Sequence, residues 1–416
     1  MSRLGDISFI TKLAGFEHTK YIQGRCTHNR INESDIPLFI GRTVKNGIID
    51  KNYDWYIPLT LSEELTRSQL RKKCIVLPYV GTVGDLAIYD GTFKAHLGSN
   101  IAKIELNENS GYTNEFVYYF LKSPYGQRLL LKDLQGAIQK NITMEAIRNV
   151  ELPDLSIDKQ FLISSVLDCL NNKIENNNKI ISELESMTKT IYNYWFLQFE
   201  FPNEEGKPYK SSGGKMVWND ELKREIPDGW KVKSYSKLGK LLMGQSPKSD
   251  SYNNEGIGYP LINGAAELRE DSVEISKYTS NPTRVSQIGD LLFCIRATIG
   301  NLQFGQAEYC LGRGVASYRP NSKKHIEYLY FVTNDILTVY NKILTGSIIV
   351  GISKDDLLQQ PILTPNESII NAFSEAVHPM FEKNTNLKQE NQELASLRDF
   401  LLPLLMNGQV TFKEDE

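Results

Sequence analysis

Cysteine is scarce. The 416 residues hold five, at Cys26, Cys74, Cys169, Cys294 and Cys310. The number is odd and no pair forms C-x-x-C, which excludes a disulfide framework or a thiolate zinc site as the organising element. Reduced, partly buried thiols are expected instead. Apolar runs are short, and none approaches the roughly 18–20 residues that cross a bilayer. The opening Met1–Ile10 lacks a basic start followed by an apolar stretch, so no signal peptide is read. A cytoplasmic chain without a membrane is expected. Histidine is rare too, and His18, His28, His96, His325 and His378 show no metal-ligand spacing.

Catalytic motifs are equally absent. There is no Asn/Asp-Pro-Pro-Tyr/Phe tetrapeptide; Ser123-Pro124-Tyr125-Gly126 has one proline and the wrong start. No Gly-x-Gly-x-x-Gly follows a strand pattern. Gly213-Gly214-Lys215 lacks the first glycine of a phosphate loop, and Glu221-Leu222-Lys223 has no upstream acidic partner for a metal nuclease. These gaps exclude a self-contained methyltransferase or nuclease and point to recognition rather than reaction.

What is present is enough to fold. Hydrophobic residues make up 41% and charged residues 23% of the chain, which excludes a mostly disordered protein. The length fits two or three domains. A weak internal repeat at an offset of about 210 residues organises the chain. Val80-Gly81-Thr82-Val83-Gly84 matches Arg296-Ala297-Thr298-Ile299-Gly300. Leu97-Gly98 matches Leu311-Gly312, and Ile36–Ile40 matches Tyr259–Asn263. Gly136-Ala137-Ile138 with Ile142-Thr143 matches Gly346-Ser347-Ile348 with Ile352-Ser353. The order of the matches is the same in both halves.

Each half ends in a long helical pattern. The first starts at an N-cap, Ser156, and carries Phe161, Val166, Leu170, Ile174, Ile181, Leu184, Ile191 and Trp195. The second opens on Thr364-Pro365-Asn366-Glu367, which reads as a capping box with proline at its first position. Its stripe is Ile369, Phe373, Val377, Met380, Leu387, Leu394, Leu397 and Leu401, with Pro403 and Gly408 as stops. At about 40 residues, near 60 Å, these read as a coiled coil. The expected helix-to-helix contacts are Ile174, Ile181, Leu184, Ile191, Leu387, Asn391, Leu394 and Leu401, with asparagine fixing register. The segment after the first helix, with Glu204-Glu205-Gly206-Lys207-Pro208 and Ser211-Ser212-Gly213-Gly214, has linker composition.

The fold class expected is α+β: two similar lobes joined by two long helices in an antiparallel coiled coil about a pseudo-two-fold axis. A parallel pair would force the linker back along the helices. The boundaries are 1–155 for the first lobe, 156–200 for the first helix, 201–217 for the linker, 218–363 for the second lobe, 364–408 for the second helix and 409–416 for a tail. Net charge is −3. By segment it is +2 over 1–155, −1 over 156–217, +1 over 218–365 and −5 over 366–416. The acidity therefore sits on the helical end, and any phosphate binding must come from local patches. Arg42, Lys45, Arg67, Arg71, Lys72 and Lys73 offer one in the first lobe; Arg296, Arg313, Arg319, Lys323 and Lys324 offer one in the second.

Recognition chemistry concentrates on loops. Thr82 with Gly84, and Thr298 with Gly300, place a hydroxyl beside a glycine that lets backbone come close to a ligand. Gln245, Ser246, Asn263, Gln139, Lys140 and Asn141 offer amides, a hydroxyl and a charge, and amides read adenine. Arg42, Arg296 and Arg313 fit guanine or phosphate.

In order along the chain, these features resemble the specificity subunits of type I restriction-modification systems. The resemblance covers essentially the whole chain. It rests on the two-lobe repeat, on Gly244-Gln245-Ser246-Pro247 followed by Tyr259–Ile262, and on the Thr-Ile/Val-Gly turn of each lobe. It also rests on Ala395–Leu405 at the helix end and on the run from Phe201 to Ile226-Pro227-Asp228-Gly229-Trp230. The first lobe departs from the loop pattern with Ala14-Gly15-Phe16-Glu17. The resemblance implies two target recognition domains, each reading half of a bipartite target in double-stranded DNA. It implies helices that set the gap and dock two modification (methyltransferase) subunits, and a restriction (motor-nuclease) subunit beyond them. S-adenosylmethionine, ATP and magnesium would belong to those partners, with no cofactor and no catalytic residue in this chain. The competing expectation is a coiled-coil scaffold whose lobes bind proteins.

Overall fold

The computed structural model describes residues 2–45, 47–132, 134, 140–269, 272–296, 298–344 and 351–410. Gly136-Ala137-Ile138, Gln139, Ala297 and Gly346-Ser347-Ile348 lie outside the described residues. The chain divides into two units, one of residues 1–177 with 389–416, the other of residues 178–388. Each unit therefore takes the far end of the other half's helix.

The first unit centres on a sheet of strands β1 (Ser8–Lys12), β3 (Cys74–Pro78), β4 (Ala87–Tyr89) and β6 (Ile101–Leu106), in the order β1-β6-β3-β4. A second sheet pairs β2 (Ile36–Phe39) in parallel with β5 (Ala95–Leu97). The second unit repeats this arrangement. Strands β7 (Gly239–Met243), β9 (Leu291–Cys294), β10 (Gly300–Phe304) and β12 (Val315–Pro320) lie in the order β7-β12-β9-β10. Strand β8 (Tyr259–Ile262) runs parallel to β11 (Cys310–Leu311). The strands are apolar because both faces are covered: Cys74–Pro78 and Leu291–Cys294 are buried throughout. Burial pushes the Cys74 and Cys294 thiols up to about 12, so neither is a nucleophile near neutral pH.

Helices cover one face of each main sheet. The helical stretch over 114–130 is broken into two helices, Asn114–Lys122 and Pro124–Leu130. Ser123 breaks it, capping the second with its hydroxyl, because the residue before proline leaves the helical region. The counterpart, Ile326–Leu344, is continuous.

The long helices are α1 (Ile157–Tyr192) and α2 (Glu367–Met406). Ser156 caps α1 as expected, accepting the Gln160 N–H on its carbonyl. Helix α2 corrects the expected start. Thr364 pairs with Lys231 as the last residue of a strand, and its hydroxyl bonds the Ile362 carbonyl. A ladder partner outcompetes a cap, and the helix begins two residues beyond Pro365. Pro403 does not stop α2 either. The helix continues to Met406, where burial of Leu402, Leu405 and Met406 in the first unit's core offsets the lost backbone bond. Gly408, at positive φ, ends it.

Within each unit the helices run antiparallel. In the first, Asn171 accepts from Arg398 (3.0 Å), while Asn177 donates to Glu390 (2.8 Å) and Asn391 (2.9 Å). In the second, Glu185 accepts from Asn384 (3.1 Å) and Lys388 (2.9 Å). Ile181 and Leu387 are buried, and Ile174, Leu184, Ile191, Asn391, Leu394 and Leu401 are half-buried. Phe161 and Leu397 leave the expected stripes, standing 66% and 45% exposed. Ile163 and Leu167 face inward instead and join the first unit's core. The start of α1 packs on its lobe, so its buried face is set by the sheet rather than by the partner helix.

The linker composition misleads. Phe199 and Phe201 are buried, and Phe201 stacks on Tyr209 (4.5 Å) and Trp230 (5.1 Å). Tyr209 donates to the Lys215 carbonyl (2.8 Å). The segment is a folded part of the second unit's aromatic core, with its glycines and serines at the turns.

One contact on α2 is set by protonation. His378 Nδ1 lies 2.7 Å from Glu327, which is buried, and its Nε2 lies 3.5 Å from Glu382. The Glu327 hydrogen bond raises the imidazole pKa above its ordinary value. The contribution to stability is therefore full below about pH 6.5 and is lost as pH climbs through the raised folded value. Replacing His378 by Gln is expected to lower the melting temperature more at pH 6 than at pH 9. An equal loss at both pH values would show that the charged form contributes nothing.

Candidate nucleic-acid interface

Several of the residues singled out on the repeated loops meet at a backbone crossing in each unit. In the second unit, glycines make the meeting possible. A Cβ on Gly244 would lie 2.2 Å from the Gly312 carbonyl, and one on Gly314 would lie 2.4 Å from that of Asn263. With no side chains there, three backbones cross in contact. Gly312 N–H donates to Ile262 (2.7 Å) and Gly314 N–H to Asn263 (3.2 Å). Ile295 donates to Gly314 (2.9 Å), Ile352 donates to Ile295 (3.0 Å), and Arg296 bridges to Gly351.

The first unit builds the same crossing with other residues. Gly98 donates to Phe39 (2.6 Å), Tyr79 to Asn100 (3.1 Å) and Ile142 to Tyr79 (2.8 Å), and Val80 bridges to Asn141. Position by position, Gly98 matches Gly312, Val80 matches Arg296 and Ile142 matches Ile352. The backbone is shared while the side chains differ.

In the second unit Gln245, Ser246, Asn263, Arg296 and Arg313 gather on the crossing. Ser246 accepts the Arg313 N–H (3.2 Å), and Gln245 N–H donates to Leu311 (2.8 Å). Thr298 is exposed on the following hairpin, and Gly300, at φ 120°, has open space where a Cβ would stand. In the first unit Lys140 and Asn141 lie on the crossing, and Thr82 is exposed on its hairpin. The Asn141 side-chain oxygen is buried without a hydrogen-bond partner among the described residues. Gly84 sits apart from open surface: its carbonyl accepts from Gln127 (2.9 Å), whose side chain fills the space a Cβ would need. In place of the Gly-x-Ser-Pro loop, Leu13 is buried with Ile22 and Leu38.

Much of the first lobe's basic patch is neutralised. Arg42 pairs with Asp54 (2.7 Å), Lys72 with Glu108 (3.1 Å) and Lys73 with Glu115. Arg67 donates to Thr11 (3.2 Å). In the second lobe Arg319 is a structural residue. Both its Nε (2.7 Å) and a terminal nitrogen (2.9 Å) donate to the buried carboxylate of Asp290. Arg296 and Arg313 are exposed and make no ion pair among the described residues.

Two residues of this site escape sequence reading. Glu267 is buried and accepts from the N–H groups of Asn263 (3.2 Å) and Gly264 (3.3 Å), holding the turn. A glutamate three residues after an Asn-Gly is the signal that could have shown it. Arg284 arrives through the Val285–Cys310 bridge and accepts Leu311 N–H on its carbonyl (2.8 Å). Its place in the first unit is taken by Ser68, because Gln69 pairs with His96 as Val285 pairs with Cys310, and no sequence signal marks it.

Among the described residues no three His, Cys, Asp or Glu side chains form a metal site, and no helix is long and apolar enough to cross a membrane.

Comparison with known proteins agrees with this geometry. A similar chain is the type I restriction enzyme MjaIX specificity subunit of Methanocaldococcus jannaschii, 27% identical over 340 residues, 76% of this chain and 75% of that one. Another is the HindI specificity subunit of Haemophilus influenzae, 22% identical over 354 residues, 72% of this chain and 75% of that one. The crystal structure of a type I restriction-modification S subunit from M. genitalium shares the fold, with a TM-score of 0.59 at 16% identity, covering 97% of this chain and 94% of that one. The model of the type I restriction modification DNA specificity domain matches residues 17–186 and again 227–396. The chain therefore belongs to the type I restriction-modification specificity family and carries its DNA specificity domain twice.

Proposed function

We propose that this chain is the non-catalytic, sequence-reading subunit of a type I restriction-modification complex, each unit reading one half of a bipartite DNA target. The observation that carries the reading is the crossing built twice on one backbone plan with different exposed side chains. A constant frame with variable polar groups suits two readers of different base sequence. The antiparallel helices would set the gap and dock two modification subunits. S-adenosylmethionine, ATP and magnesium would be held by those subunits and by a motor-nuclease.

Salt dependence separates this reading from a protein-binding scaffold. A reader that neutralises Z phosphates loses affinity with a log–log slope of about −0.9Z. A steep slope for duplex DNA, with no methyl transfer by the chain alone, is expected. A flat slope would favour the scaffold, and methyl transfer without partners would overturn the non-catalytic assignment.

Arg296 offers a second test. It replaces Val80 of the first unit at an equivalent bridge, so the crossing does not need it. Arg296→Ala is expected to weaken target binding by roughly 1–3 kcal/mol if it contacts a base. Parent-like binding would remove it from the interface.

A further inference from the structure

Arg313 stands between two glycines, and all three backbone donors of this tripeptide are already used. Gly312 N–H is taken by Ile262, Arg313 N–H by Ser246 and Gly314 N–H by Asn263. The acceptors are themselves fixed. Asn263 is held by the buried carboxylate of Glu267, and the Gln245 carbonyl beside Ser246 accepts from Thr283. The loop therefore has no free backbone N–H to offer a phosphate. It presents one long side chain, exposed and without an ion pair among the described residues, from a backbone whose donors are all bonded. Gln245 and Asn263 flank it with amides.

Arg284 differs. It lies beside this loop through its carbonyl contact to Leu311, is exposed, and also makes no ion pair among the described residues. None of its own backbone or side-chain donors is tied to the crossing. Arg269 and Arg319, by contrast, are each claimed by a carboxylate, Glu274 at 2.9 Å and Asp290 at 2.7 Å.

We infer that Arg313 is a specificity-determining arginine of the second unit, reading a guanine in its half-site, and that Arg284 anchors the neighbouring phosphate without reading sequence. This rests on the DNA-reading function proposed above. A base contact needs a donor pair brought to the base edge from a defined place, and the glycine crossing fixes where the Arg313 side chain leaves the backbone, with Gln245 and Asn263 beside it. The parallel N–H groups of a guanidinium match O6 and N7 of guanine. A phosphate contact tolerates a looser side chain, because the charge rather than the direction carries it.

The test selects duplexes from a randomised library with the full-length chain, together with its modification subunits, for the parent, Arg313→Ala, Arg313→Lys and Arg284→Ala. Matching melting temperatures exclude misfolding, and all three substitutions are at exposed side chains. In the second half-site, Arg313→Ala is expected to erase one guanine preference and weaken that duplex roughly ten- to hundredfold. Arg313→Lys should restore affinity more than preference. Arg284→Ala should weaken all duplexes alike and reduce the salt slope by about one. The inference is overturned if Arg313→Ala keeps every guanine preference or weakens all duplexes equally, or if Arg284→Ala changes the motif. If the parent selects no motif, the DNA-reading function itself fails, which is a distinct result.

Discussion

Arg319→Ala is expected to destabilise the protein by about 3 kcal/mol while leaving its DNA preference intact. Asp290 is 2% exposed on its side chain, and Arg319 covers it with two parallel hydrogen bonds. The same carboxylate accepts the Gln287 N–H (2.9 Å), which closes the turn into β9. Removing the arginine leaves a buried charge without its counter-ion, which costs roughly 3–5 kcal/mol in comparable pairs. The lower end applies because Arg319 is 39% exposed and water can reach its place. The measurement is the urea midpoint, with an unchanged slope showing that only stability moved. A control pair, Arg319→Met with Asp290→Leu, should recover part of the loss, because it removes both charges while giving up the Gln287 hydrogen bond. A shift below about 0.5 kcal/mol for Arg319→Ala, the size of ordinary surface substitutions, would show that the pair does not hold the fold.

Arg319 also shows where sequence reading stops. It stands among basic residues and belongs to a patch by composition, but its partner is 29 positions away and only the fold brings the two together. The repeat was legible for the opposite reason. The Gly98–Gly312 match falls at a crossing where a Cβ would meet the Phe39 carbonyl or the Asn263 side chain. Close contact restricts residue type there, so the pattern survives between halves. The helices were legible as helices, but their faces were not. Phe161 fits the periodic stripe as well as Ile163 does, and the choice depends on a sheet that helix periodicity cannot see. The glycines and serines of 201–217 give it linker composition, whereas Phe201 decides its fate by stacking on both Tyr209 and Trp230. At Thr364 a local capping signal lost to a strand partner more than 130 positions earlier, Lys231.

Seven residues added to each long helix are expected to widen the gap in the recognised sequence without changing the bases read on either side. The places are beside Lys179 in α1 and beside Gln389 in α2. The first lies between Asn177 and Glu185, and the second between Lys388 and Glu390. Those residues make the interhelical bonds of the two units, so each set stays intact. A heptad keeps the apolar stripe in phase, where four residues would turn it by about 40°. Seven residues add about 10 Å, or about three base pairs at roughly 3.4 Å each. Three pairs also turn one half-site by about 100° around the duplex, at 10–10.5 pairs per turn, so affinity should fall even where the longer gap is chosen. The readout is the motif methylated in cells that carry the lengthened chain with its modification subunits. Two unchanged half-sites separated by a longer gap would identify the helices as the ruler. Two unchanged half-sites at the original spacing would show that the gap is set elsewhere, and altered half-sites would mean that the helices also shape the reading faces.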